Sequence, residues 1–195
     1  MMCYNKNTEL ILEIKKYINE IVGIEPDLVG SAAIGIQIDE SDLDFAVSVK
    51  NSGEMKSVGE KLEFHEIAFY GERPATKDTF RLLFSFLYKN VSVDITVMLE
   101  KDYTELVNGI KEAKDSLSPS EKNRIIEKKK ILSLESKIEY ENYKISIYKK
   151  FCPQLLWLTD IEICRMLLQE YQKKNLKIPV WLDEKRKEYL LYEEM

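Results

Sequence analysis

The sequence predicts an α+β fold: a small mixed β-sheet flanked by helices, followed by a C-terminal helical region. Three observations predict it. Short segments between residues 27 and 98 alternate apolar and polar side chains with the two-residue period of strands. Stretches with helical spacing of apolar residues precede and interrupt those segments. Beyond residue 100 the strand period is lost and only helical spacing remains. Residues 1–117 are therefore read as a catalytic core and residues 118–195 as a helical domain.

Ile11, Ile14, Ile18, Ile21 and Val22 recur at helical spacing, and Gly23 supplies the stop. After Pro26, Leu28-Val29 reads as a short buried strand ending at Gly30-Ser31, and residues 31–37 as a turn with a brief helix. In residues 42–49, Leu43, Phe45 and Val47 alternate with Asp42, Asp44 and Ala46, which places two carboxylates on one strand face. Met55, Val58 and Leu62 mark a helix within residues 51–63. Residues 66–70 give a third strand, ended by Gly71-Glu72-Arg73-Pro74. Residues 80–88 and 91–98 form a hairpin about a tight Lys89-Asn90 turn, with Asp94 in its second arm.

Leu106, Val107 and Ile110 give a helix over residues 102–114. Ser118-Pro119-Ser120-Glu121 joins an N-cap serine, a proline at the first helical position and a glutamate at the third, the pattern of a capping box. That helix is expected to run to about Ile138. A further helix spans residues 141–151 and stops near Cys152-Pro153, another begins at Asp160, and a short one follows Pro179.

The composition is that of a soluble globular chain, with 45% hydrophobic and 32% charged residues among 195. No apolar run approaches the roughly 20 residues that cross a bilayer. The first residues lack a basic region followed by an apolar stretch, so the expected location is cytoplasmic, with no membrane partner. Three cysteines without a Cys-x-x-Cys pair point to reduced thiols, and a single histidine, His65, leaves little for a zinc site. The net charge of −5 is unevenly spread: residues 1–118 carry 13 basic and 21 acidic side chains, residues 119–150 carry 9 and 5. An acidic half followed by a basic segment suits a nucleotide held between metal ions and a cationic helix. Long nucleic acid, which needs a broad basic surface, is not an expected partner. Most of Lys128-Lys129-Lys130 reads equally well as a solvated helix face.

The chemistry centres on Asp42, Asp44 and Asp94. Three carboxylates on neighbouring strands offer hard oxygen ligands to divalent cations such as Mg²⁺. Two such ions can clamp the attacking and leaving oxygens of a phosphoryl displacement, and Asp94 would sit near the acceptor hydroxyl to help remove its proton. The alternative is that Asp94 lies on a wet sheet face. Gly30 lets the backbone approach phosphates and Ser31 can donate a hydrogen bond to them.

Val29-Gly30-Ser31, a ten-residue spacer, Asp42-Leu43-Asp44-Phe45 and the later strand-borne Asp94 resemble the signature of the DNA polymerase β-type nucleotidyltransferase superfamily. The resemblance covers about residues 25–100. It implies a nucleotidyltransferase core with Asp42, Asp44 and Asp94 as catalytic and metal-binding residues and Gly30 and Ser31 as nucleotide-binding residues. It also implies two Mg²⁺ ions, with Mn²⁺ able to substitute, and transfer of a nucleoside monophosphate from a nucleoside triphosphate, ATP in the first place. The acceptor would be a hydroxyl of a small molecule or protein. Because members with helical C-terminal halves often bring a lysine to the triphosphate, Lys149 joins the nucleotide-binding set. Arg73, Lys77 and Arg81 surround the hairpin start, and Arg81 is taken as the nucleotide contact, with a surface ion pair as its alternative. Trp157, Trp181, Tyr140, Tyr143 and Tyr148 could stack on a base, though helical spacing favours packing. The competing class is a nucleotide-binding, antitoxin-like protein with a toxin partner and little or no catalysis. A DxD glycosyltransferase would need a larger nucleotide-sugar domain.

Overall fold

The computed structural model describes residues 3–39, 41–75, 79–158 and 160–190. Five strands, β1 (Asp27–Leu28), β2 (Leu43–Val49), β3 (Ala68–Pro74), β4 (Phe80–Tyr88) and β5 (Val91–Leu99), form one sheet in the order β1-β2-β5-β4-β3. β2 and β5 run parallel while the other neighbours are antiparallel, so the sheet is mixed, as expected from the sequence.

Strand alternation divides the sheet between two packed layers. Leu43, Phe45 and Val47 of β2 and Val93, Ile95 and Val97 of β5 face α1 (Cys3–Val22) and α3 (Ser52–Phe64). Ile14 and Ile18 of α1 and Met55, Val58 and Leu62 of α3 are buried against them. Each such side chain contributes about 1.5–3 kcal/mol by leaving water. α3 approaches so closely that a Cβ on Gly59 would lie 3.2 Å from Leu82 Cδ1.

The opposite face carries the site. Ala46 and Met98 are covered there by α2 (Gly30–Ile34), α4 (Glu100–Ser116), α6 (Lys137–Phe151) and a 3-10 turn (Pro153–Leu158). α5 (Pro119–Glu135) leads from α4 into α6, and α7 (Asp160–Lys173) and α8 (Val180–Leu190) follow the 3-10 turn. Tyr103 of α4 hydrogen-bonds Asp27, which also pairs with Lys15 at 3.3 Å, so β1 is tied to helices on both faces.

Local signals explain the element ends. Lys89 and Asn90 both have positive φ, 50° and 67°, the backbone of a two-residue hairpin turn whose twist matches its strands. The Ser118 capping box is present in both directions: Ser118 Oγ accepts from Glu121 N, and Ser118 N donates to Glu121 Oε2. Of the boundaries that differ from expectation, two have a clear local cause. β3 continues to Pro74 because a bulge between Phe69 and Gly71, with Gly71 at φ +119°, absorbs the irregularity that glycine suggests as a stop. The helix begun at Ser118 ends at Glu135, three residues short of Ile138. Ser136 is extended there, and its Oγ accepts from Glu139 N to cap α6 instead. Among the described residues no helix is long and apolar enough to cross a membrane.

Candidate active site

Asp44 is the second residue of β2 and Asp42 immediately precedes the strand. The parallel register sets Asp44 directly beside Asp94 of β5, and the antiparallel register sets Ser85 of β4 beyond it. This is the face covered by α2 and α6. Its phase is dictated by the other face, because Leu43, Phe45, Ile95 and Phe84 must point into the core.

Gly30 begins α2 at φ +68°, and a Cβ there would lie 2.0 Å from Asp44 Oδ2. Only glycine lets this turn lie against the carboxylate. The turn is anchored by Val29 N donating to the Asp44 carbonyl at 2.8 Å. Ser31 is thereby held one residue from the contact with Asp44.

Two lysines and two tyrosines from the helical half surround this turn. Lys129 of α5 is fully buried and donates to Ser31 Oγ at 3.2 Å and to the Ile36 carbonyl at 2.9 Å. The Tyr148 hydroxyl of α6 lies 2.9 Å from Ser31 Oγ. Tyr140, Lys144 and Tyr148 stand at four-residue spacing on α6 and so share a face. Lys144 pairs with Glu141 at 3.8 Å, and Lys129 lies 5.7 Å from the centre of the Tyr140 ring.

The charges act strongly on one another. Burial first, then Asp94 and Asp42, push the Asp44 carboxyl up to about 7, against the opposing pull of Lys144 and Lys129. Burial first, then the like charge of Lys144, press the Lys129 ammonium down to about 8, with Glu141 and Asp44 opposing. For Lys144 burial also disfavours the charge, but Tyr148, Glu141, Asp44 and Tyr140 outweigh it and hold the ammonium above its ordinary range. Burial pushes the Tyr148 phenol up to about 12, so it keeps its proton.

Among the described residues no three His, Cys, Asp or Glu side chains converge as a ready-made metal site. The donor chemistry nevertheless suits a hard divalent cation. Asp42 and Asp94 both oppose ionisation of Asp44, a repulsion that a shared cation would relieve.

The structure places Gly30 against Asp44, Asp94 beside Asp44 in register, Ser31 next to Gly30 in the chain and Asp42 two residues before Asp44. Two other expected residues lie elsewhere. Lys149 is exposed on the next face of α6 after Tyr148. Arg81 is fully buried and lies on β4 four residues from Ser85, about 13 Å along the strand from the level of Asp94. Arg73 is its cross-strand neighbour. Lys77 and the side chains of Trp157 and Trp181 lie outside the described residues. His65 is exposed, with its ring edge-on to Phe64. Cys152 and Cys164 are buried thiols.

Sequence reasoning missed Lys129 and Lys144. Lys129 had a usable signal: it follows the buried Ile125 by four residues, so it shares the inward stripe of α5 despite the lysines on either side. Lys144 is marked only by its place midway between two tyrosines on one helical face.

No protein-family model matches the sequence, and no curated protein matches it. Among solved structures the chain is similar to the polymerase core of TRAMP, an RNA surveillance complex, at 15% identity and a TM-score of 0.44, over 67% of this chain and 42% of that one. It is similar to the Cid1 poly(U) polymerase bound to MgATP at 16% identity and a TM-score of 0.43, over 64% and 41%. A third is the non-canonical poly(A) polymerase complex GLD-2–GLD-3, at 10% identity and a TM-score of 0.39, over 52% and 36%. The matched portions span about two-fifths of the length of those structures. At such identities the likeness concerns the fold alone.

Proposed function

We propose that the chain is a Mg²⁺-dependent nucleotidyltransferase that transfers a nucleoside monophosphate from a nucleoside triphosphate, ATP in the first instance, to a hydroxyl of a small molecule or protein. One observation carries the reading: Gly30 packs its backbone against the Asp44 carboxylate, beside Asp94 and within one residue of the Ser31 hydroxyl. A carboxylate cluster next to a glycine turn and a hydroxyl is an arrangement for holding a cation-bound polyphosphate.

In this reading Asp42, Asp44 and Asp94 hold the divalent ions, which when bound neutralise the triphosphate and polarise the phosphorus under attack. Gly30 leaves room for the outer phosphates and Ser31 donates to one of them. The Asp94 carboxylate accepts the proton of the attacking hydroxyl. Lys144 takes the cationic role that Lys149 was expected to play, because it is the α6 lysine whose charge acts on Asp44. Phosphoryl transfer asks mainly for such positioning and charge neutralisation. Residues 1–117 would then form the catalytic core and residues 118–195 the helical domain that closes the nucleotide site.

The test is incubation with each labelled nucleoside triphosphate and Mg²⁺, with a cell extract as acceptor. Label should be transferred by the native chain, and not after chelation with EDTA or by Asp42→Asn or Asp94→Asn. Tight nucleotide binding without transfer to any acceptor would instead support an antitoxin-like partner protein.

A further inference from the structure

Ser31, Lys129 and Tyr148, distant in sequence, meet at the Ser31 oxygen, and chemistry fixes the direction of the lysine bond. An ammonium has protons to give and no lone pair, so Lys129 Nζ is the donor to Ser31 Oγ. Tyr148 is 3% exposed, and Ser31 Oγ is the one hydrogen-bond partner of its hydroxyl among the described residues. Either hydroxyl can be the donor in that bond, and Tyr148 as donor is the direction that leaves the Ser31 proton available to a ligand. A serine oxygen has two lone pairs and one proton. With Tyr148 donating, both lone pairs are occupied by protein donors, and the proton of Ser31 has no acceptor among the described residues. The remaining bonding capacity of Lys129 is directed elsewhere, to the Ile36 carbonyl and toward the Tyr140 ring.

We propose that Lys129 and Tyr148 are positioning residues that fix Ser31 as a dedicated hydrogen-bond donor to the outer phosphates of a nucleoside triphosphate. The inference rests on the nucleotidyltransferase reading, which supplies a phosphate at Ser31. It goes further in giving Lys129 and Tyr148 a role through the serine and not by touching the nucleotide. A phosphate oxygen, charged and carrying no proton of its own, is the acceptor that best completes the serine. Loss of either donor empties a lone pair and lets the hydroxyl turn its proton away from the ligand.

Calorimetric titration tests this with Mg²⁺, each of the four common nucleoside triphosphates and the matching monophosphates. For the triphosphate that binds most tightly, Ser31→Ala and Tyr148→Phe should each weaken binding about tenfold, the scale of one hydrogen bond to a charged group. Monophosphate affinity should stay within about twofold, since a monophosphate lacks the outer phosphates. The double variant should bind no more weakly than Ser31→Ala alone. Lys129→Met should lose affinity in the same selective way, and Lys129→Arg, which keeps its donors, should recover part of it.

If the native chain binds no triphosphate, the functional reading falls and takes this inference with it. If the native chain binds and Tyr148→Phe matches it, the positioning role is overturned while the functional reading stands. Losses that multiply in the double variant would overturn the positioning role in the same way. A Tyr148→Phe protein that loses monophosphate and triphosphate affinity alike, with a lower melting temperature, would make Tyr148 a packing residue and also overturn the role.

Discussion

Replacing Gly30 with alanine tests whether the turn and Asp44 form one unit. Two costs can be separated. Alanine at φ +68° carries a backbone penalty of about 1–2 kcal/mol. The new Cβ would also stand 2.0 Å from Asp44 Oδ2 and 2.8 Å from its Cγ, so the carboxylate must leave its rotamer well. That displacement costs about 0.5–1.5 kcal/mol. Gly30→Ala should therefore destabilise the native chain by about 1.5–3.5 kcal/mol and lower its Tm by roughly 3–14 °C. With Asp44 already replaced by alanine the clashes with Oδ2 and Cγ disappear, leaving a 3.1 Å contact with the remaining Cβ. The cost should then fall most of the way to the backbone penalty. Urea unfolding of the four proteins of this cycle, without metal, gives the coupling directly. A Gly30→Ala cost below about 0.5 kcal/mol, or the same cost in both backgrounds, would refute the close seating of the turn on Asp44.

Two further outcomes are expected. Lys129 is held down to about 8 in the folded protein against 10.5 in the free side chain, so between those values the unfolded chain carries a proton that the folded chain has released. Stability should rise with pH across that window, its burial cost being fully present below about 8, and the rise should be on the order of 3 kcal/mol. Lys129→Met should remove the rise, so parallel stability–pH profiles for the two proteins would disprove the assignment. Ser118→Ala, which removes the side-chain half of the capping box, should cost about 1 kcal/mol in denaturant unfolding.

How much is legible in sequence follows from how local each signal is. Strand phase is a two-residue property, so Asp42, Asp44 and Asp94 can be placed on their faces from their immediate neighbours. The direct facing of Asp44 and Asp94 is less accessible, because a parallel pair joins segments separated by a helix and a hairpin. Lys129 is obscured by a run of three lysines that reads as solvent-facing, although the phase set by Ile125 points it inward. Lys144 escapes a reading by periodicity because the stripe it shares is polar: Tyr140, Lys144 and Tyr148 do not stand out by hydrophobicity. Ser136 reads as a helix interior residue because no glycine or proline stands beside it, although Ser136 and Glu139 keep the Ser-x-x-Glu spacing of a helix start.

The two bonds to Ser31 also bear on when the protein becomes competent as it is made. They span 98 and 117 residues of chain, whereas all five strands are complete by Leu99. A nascent chain that has just finished its sheet can set Asp44 beside Asp94, but the lysines that offset that charge have not yet been synthesised. Nor can it hold the serine hydroxyl in place. Such long-range contacts form late, after the loop between them has closed. On the proposed reading, vectorial synthesis separates the scaffold from the proposed phosphate seat in time, and an incomplete chain would be built around the carboxylates without the residues proposed to grip a nucleotide.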